Sequence, residues 1–143
     1  MKKFIVLLVI TFAITLIPTI FLDFDTSKLI KPVLFPPKIV FPIVWSILYI
    51  LMTISLCLST KNDVDVYKDY FLQLIVNSLW SPLFFGLKWY LLSFIWLILL
   101  LILVIKMILK MKEKNTVAAY LQIPYVLWIL FAGYLNLFVY FLN

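Results

Sequence analysis

Five long apolar runs divide the chain, each bounded by charge or proline. They cover about residues 4–22, 39–60, 70–87, 89–105 and 117–142. Crossing the hydrocarbon core of a bilayer as a helix takes about 20 apolar residues, and every run supplies close to that. The runs are continuous rather than alternating, which separates them from the strands of a membrane barrel. A helix also pairs its backbone groups within its own segment, as lipid demands. The pattern predicts an all-α fold: an integral membrane bundle of five transmembrane helices, one domain over residues 1–143. Lys2 and Lys3 ahead of the first run resemble the basic start of a secretory leader. The run is longer than a leader's apolar core and no small-x-small cleavage site follows, so it is read as a span.

The connections add topology. Leu87–Trp89 leaves room only for a tight hairpin, while Lys61–Asp69 and Lys106–Thr116 read as modest polar loops. The longest connection, residues 23–38, mixes Asp23, Asp25, Lys28 and Lys31 with Leu29-Ile30 and Leu34-Phe35. A merely solvated loop needs no such apolar pairs, so this one is expected to lie on the bundle or at the membrane interface. Pro18, Pro42, Pro82 and Pro124 fall inside the runs. Each lacks a backbone donor and crowds the carbonyl four residues earlier, so kinks that open space between helices are expected. Pro36-Pro37 stands where the second helix should begin, a position that suits proline. Eight lysines (Lys2, Lys3, Lys61, Lys68, Lys106, Lys110, Lys112, Lys114) fall on one side of a five-span topology and four (Lys28, Lys31, Lys38, Lys88) on the other. The positive-inside rule then places the N-terminus in the cytoplasm and the C-terminus outside, most simply across the cell membrane.

Composition agrees. Of the 143 residues 66% are hydrophobic and 13% charged, against roughly a quarter charged in soluble domains. With one cysteine and no histidine, nitrogen- and sulfur-ligated metal sites and histidine-based triads find no residues to build on. Every basic residue is lysine, whereas a nucleic-acid binder would use arginine, so no nucleic-acid partner is expected. No ionisable side chain falls in the middle of a predicted span, which argues against an ion-coupled pump. A passive carrier stays open.

Uncharged polar and aromatic residues carry the site argument. Gln73, Asn77, Trp80, Ser81 and Phe84 share one helical face. Leu121, Tyr125, Trp128, Ala132 and Asn136 share another, and Trp45, Tyr49, Met52 and Leu56 a third, with Ser46 and Thr53 beside it. Lipid does not reward an exposed amide, so Gln73, Asn77, Gln122 and Asn136 should face protein. Two readings follow: glue between helices, or an intra-bundle pocket of indoles and phenols suited to a flat ligand. Tyr67, Tyr70, Trp89 and Tyr90 read as interfacial anchors; Trp45 and Trp128 lie too deep for that.

Three stretches then carry a resemblance: Pro36-Pro37-Lys38-Ile39-Val40-Phe41-Pro42-Ile43-Val44-Trp45 through Tyr49, Gln73-Leu74 through Asn77, Trp80-Ser81-Pro82 and Phe84-Phe85-Gly86, and Pro124-Tyr125 through Trp128 and Phe131-Ala132 to Leu135-Asn136. In order and spacing they resemble the motifs of the tryptophan-rich sensory protein or translocator protein family, TspO/MBR. The resemblance implies a five-helix bundle, usually a homodimer in membrane lipid, with a ligand site between the helices capped by the first loop. It implies porphyrins such as protoporphyrin IX or haem as ligands rather than cofactors, sterols in animal members, and synthetic isoquinoline carboxamides and benzodiazepines. By motif position the ligand-binding residues are Trp45, Tyr49, Asn77, Trp80, Tyr125, Trp128, Ala132 and Leu135. Some bacterial members degrade protoporphyrin in light, which would make Trp45 and Trp128 catalytic.

The chain departs from the family in places. Ile39 replaces a tryptophan, Pro42 is displaced by one position, and Thr26-Ser27 lies near where a Trp-Tyr pair is common. Gly133 replaces a threonine, which suggests closer packing of the last helix. No basic residue follows Lys114, so the cholesterol motif of animal members is not supported. The expected function is a porphyrin-type ligand-binding membrane protein acting as sensor, regulator or scavenger. The alternatives are a light- and oxygen-dependent porphyrin-degrading enzyme, a passive porphyrin, lipid or sterol carrier, and a structural membrane subunit.

Overall fold

The computed structural model describes residues 1–60 and 64–143. Its described residues hold helices and no strand: α1 Lys2–Leu16, α2 Val40–Ser59, α3 Val64–Ser81, α4 Tyr90–Lys114, α5 Thr116–Tyr120 and α6 Ile123–Leu142. A 3-10 turn, Ile17–Thr19, extends α1, and a π-helical turn, Pro82–Gly86, extends α3. α4 packs along α3 on one side and α6 on the other; α1 lies against α2 and α3, and α5 bridges α4 and α2.

Proline sets the ends of these helices instead of kinking their middles, which corrects the expectation. Pro18 cannot donate to Ile14, so α1 stops at Leu16, short of the full 4–22 run. The Thr19 hydroxyl then donates to the carbonyl of Leu16 at 2.6 Å. Pro82 ends α3 in the same way, and the chain widens through Leu87 N–H to the Pro82 carbonyl and Trp89 N–H to the Leu83 carbonyl. Lys88 turns the hairpin with φ 57°. Pro42 and Pro124 sit in the first turns of α2 and α6, where backbone N–H groups have no partner to lose. Pro124 also cannot donate to Tyr120, and there the last run splits into α5 and α6.

Two expected loops are helix. α3 starts by Val64, so the part of the 61–69 connection from Val64 onward is helical, and residues 61–63 lie outside the described residues. α4 continues past the 89–105 run through the expected 106–116 loop to Lys114, so only Asn115 separates it from α5. The Asn115 side chain accepts the Ala118 N–H at 3.1 Å, capping α5. At 1.5 Å per residue α4 is about 37 Å long, more than a hydrocarbon core.

Lys2–Thr19, Val40–Ser59, Tyr90–Lys114 and Thr116–Leu142 are long and apolar enough to cross a membrane. Their outer faces are apolar: Ile102 and Leu109 on α4 are each 59% exposed, and Ile47, Ile98, Leu127 and Phe141 are exposed as well. A soluble surface does not carry so continuous an apolar coat. α3 is less apolar, with Asp65, Lys68, Asp69, Gln73, Asn77, Ser78 and Ser81 along it. It turns Leu72, Ile75 and Leu79 outward and buries Asp69, Gln73, Asn77 and Ser78. Tyr70, expected as an interfacial anchor, is fully buried and shares a 2.6 Å hydrogen bond with Thr11 of α1. Its position midway along the polar face of α3 points it inward.

Candidate functional site

The described residues enclose a cavity of about 360 Å³, within the size range of small-molecule sites. Its walls are built from helix stripes. Phe41, Trp45 and Tyr49 recur every four residues on α2, with Pro42 and Ser46 beside them; α3 adds Asn77, Ser78, Trp80 and Ser81. Phe12, Thr15 and Leu16 come from α1, Thr19 from the turn after it, Phe85 from the π turn, and Leu97 and Leu100 from α4. The first loop contributes Phe24, Thr26, Phe35 and Lys38.

The aromatic wall is held by ring contacts. Trp45 stacks on Tyr49, centroids 5.6 Å apart and planes 25° from parallel. Trp80 stacks on Phe84 at 5.0 Å. The Trp80 indole N–H donates to Asn136 Oδ1 at 3.0 Å, and Asn136 Nδ2 donates to the Tyr90 carbonyl at 2.7 Å. These bonds tie the α3 wall to α6 and α4 and fix the indole plane.

Behind the cavity runs a buried polar chain. The Tyr49 hydroxyl donates to Asn77 Oδ1 at 3.3 Å. Asn77 Nδ2 donates to the Tyr125 hydroxyl at 2.7 Å, and that hydroxyl donates to Gln73 Oε1 at 2.8 Å. Gln73, Asn77, Gln122 and Asn136 are all buried, so each of the four amides faces protein.

The loop is fastened over this end of the bundle. Asn143 closes a two-bond clasp on Ile30, accepting its N–H at 3.1 Å and donating to its carbonyl at 3.0 Å. The Tyr134 hydroxyl donates to the Val33 carbonyl at 2.6 Å. Phe24 sets its ring edge against Phe85 at 4.9 Å. Within the loop, Asp25 accepts the Ser27 N–H at 2.9 Å, which draws its carboxyl below the ordinary range. The turn Pro32–Phe35 closes with Leu34 at φ 73°.

Of the eight sequence-derived site residues, Trp45, Tyr49, Asn77 and Trp80 line the cavity. Tyr125 stands one layer back, bonded to Asn77 and edge-on to Trp45 at 6.2 Å. Trp128 sits perpendicular to Trp45 at 6.3 Å and against Phe41 at 5.9 Å. Its buried indole nitrogen has no hydrogen-bond partner. Ala132 and Leu135 are buried in α6 and do not line the cavity. Gly133 leaves only ordinary contact between an added Cβ and Phe94, at 3.8 Å, so close packing there does not require glycine. The α1 wall was missed from sequence. Thr11, Thr15 and Thr19, spaced every four residues in an otherwise apolar run, were the available signal.

These features define a helical membrane protein with an aromatic cavity under a fastened loop. The TspO/MBR family pattern matches residues 4–142. The protein CrtK of Rhodobacter capsulatus is 37% identical over 126 residues, covering 84% of this chain and 78% of that protein. The tryptophan-rich protein TspO of Chlorobaculum tepidum is 38% identical over 123 residues, 82% of this chain and 78% of its own length. That of Archaeoglobus fulgidus is 40% identical over 117 residues, covering 79% and 76%. The chain belongs to the TspO/MBR family of membrane proteins.

Proposed function

We propose that this chain binds porphyrin-type tetrapyrroles, or other flat hydrophobic ligands, in the cavity beneath the first loop, and acts as a sensor, regulator or scavenger of them. The observation that carries the reading is the cavity wall itself: the Trp45–Tyr49 stack faces a space lined mostly by aromatic, aliphatic and hydroxyl side chains, with Asn77 and Lys38 among them. A planar macrocycle gains apolar contact and stacking on such a wall. In this reading α3 is the fifth crossing, shielded from lipid on its polar face. Eight lysines against four support an N-terminus in the cytoplasm and a C-terminus outside the cell membrane. The working unit is a homodimer, as the family resemblance implies. Titrating the purified protein with protoporphyrin IX, haem and non-porphyrin controls while following tryptophan quenching tests the reading. Saturable quenching by porphyrins is expected; none within solubility overturns it.

The Trp45–Trp128 pair favours a second reading, light-driven porphyrin breakdown. Trp45 lines the cavity and Trp128 stands directly behind it. Excited porphyrin and oxygen would supply the reactivity, and the two indoles would donate electrons to it. A Trp45→Phe, Trp128→Phe double variant should then keep most binding but bleach bound porphyrin more slowly in aerobic light. Bleaching at the parent rate leaves only the binding function.

A further inference from the structure

We propose that Lys38 is a carboxylate-recognising residue of the cavity, so that the ligand is a flat ring system bearing an acid group rather than a neutral ring. The inference rests on the preceding reading of the cavity as a ligand site and adds what that site selects.

Among the described side chains lining the cavity, Lys38 is the one with a formal charge, and no aspartate or glutamate lines it. The rest of the wall rewards apolar area, and hydroxyl and amide groups can orient a ligand, but only Lys38 distinguishes an anion from its neutral ester. Its position is fixed from both sides. Pro36-Pro37 precedes it with restricted backbone, and the N–H of Val40, the first residue of α2, donates to the Pro37 carbonyl at 3.0 Å. The backbone at Lys38 is therefore held at the rim of α2 rather than in the middle of the loop. The start of α2 adds a second positive contribution, because the N-terminus of a 20-residue helix carries partial positive charge.

Lys31 lies over the Phe35 ring at 5.6 Å and is not among the residues lining the cavity. Asp25 is close enough to be attracted by Lys38 and Lys28, yet its carboxylate is already engaged by the Ser27 N–H. A ligand carboxylate at the rim would share Lys38 with Asp25 while its ring system entered the aromatic part. Lys38 is exposed, so the attraction should be screened by salt.

The test compares protoporphyrin IX with its dimethyl ester on the full-length protein in neutral detergent, by tryptophan quenching at low and high salt. The acid should bind about tenfold more tightly than the ester, and added salt should narrow the gap. Lys38→Met should weaken acid binding about tenfold and leave the ester unchanged, while Lys38→Arg should keep the preference. Equal binding of acid and ester by the parent overturns the proposal and leaves the cavity reading intact. So does a preference that survives in Lys38→Met. If neither form binds, the cavity reading itself fails and this inference with it. A long-chain fatty acid run as competitor separates ring acids from lipid acids. Displacement of the porphyrin at equal concentration would overturn the assignment to a ring acid.

Discussion

At one end of the bundle the helices close on themselves, and at the other the same helices part around a cavity. The closed end buries Met52, Leu56, Val66, Leu74, Met107 and Met111. Asp69 on α3, the one buried carboxylate among the described residues, meets the Lys110 ammonium at 2.9 Å and that of Lys106 at 3.8 Å, both on α4. The open end replaces aliphatic filler with rings and closes with a loop held by side-chain hydrogen bonds from α6 and Asn143. At the closed end the Asp69 carboxylate is paired within the protein; at the open end Lys38 lines the cavity. The contrast teaches that stability and recognition are divided along the length of shared helices, so each can be perturbed with little effect on the other.

Asn77 sits where the two ends meet and should give the largest effect. Asn77→Leu strands the buried hydroxyls of Tyr49 and Tyr125, at a cost of about 3 kcal/mol. Both the melting temperature in detergent and porphyrin affinity should fall; loss of affinity alone would break the division at its centre. Asp69→Asn should cost about 2 kcal/mol by removing a charge-assisted contact, lowering the melting temperature while leaving porphyrin affinity within twofold. A weakened Kd in that variant would show that the ends are coupled. Trp45→Ala should do the reverse, weakening porphyrin binding about tenfold, or about 1.4 kcal/mol, for a smaller loss in melting temperature. Combining Tyr134→Phe with Asn143→Ala should release the loop, costing about 1 kcal/mol per lost bond. Stopped-flow quenching should then show faster porphyrin dissociation, with the closed end unaffected. The smallest effect belongs to Leu34→Gly. A leucine at φ 73° pays roughly 1 kcal/mol of backbone strain, partly offset by glycine's chain entropy, so a slight gain in thermal stability is expected.

Much of this division was legible in the sequence, but unevenly. Apolar runs located the helices because lipid and core both select the same side chains. Helical spacing of Gln73, Asn77 and Trp80 located the α3 wall. What failed was the reading of charge as a loop signal. Lys106 and Lys110 looked like a helix end, yet Asp69 on a neighbouring helix gives them a partner, and α4 runs on beneath them. That pairing joins residues far apart in sequence, and no local pattern reports it. The prolines misled for a similar reason. Their effect depends on whether they stand first or fifth in a helix, and the helix ends were not yet known. Periodicity put Ala132 on the same α6 face as Tyr125 and Trp128. A face does not say how deep each residue lies, and Ala132 is buried without lining the cavity.

The chain from Tyr49 through Asn77 and Tyr125 to Gln73 has a direction, because each link has one donor and one acceptor. As drawn, every proton points away from the cavity, and Gln73 Nε2 is left without an acceptor. Turning over both amides reverses all three links at once and keeps their number, since amide orientation is set by the network it joins. Gln73 would then donate to Tyr125, Tyr125 to Asn77, and Asn77 to Tyr49, leaving the Tyr49 proton to turn toward Thr15 and the cavity. The wall therefore has two settings of nearly equal bond count, one offering a ligand an acceptor and the other a donor. No single link can change without the rest. A ligand that presents an acceptor to Tyr49 would select the second setting and reorder a glutamine it never touches.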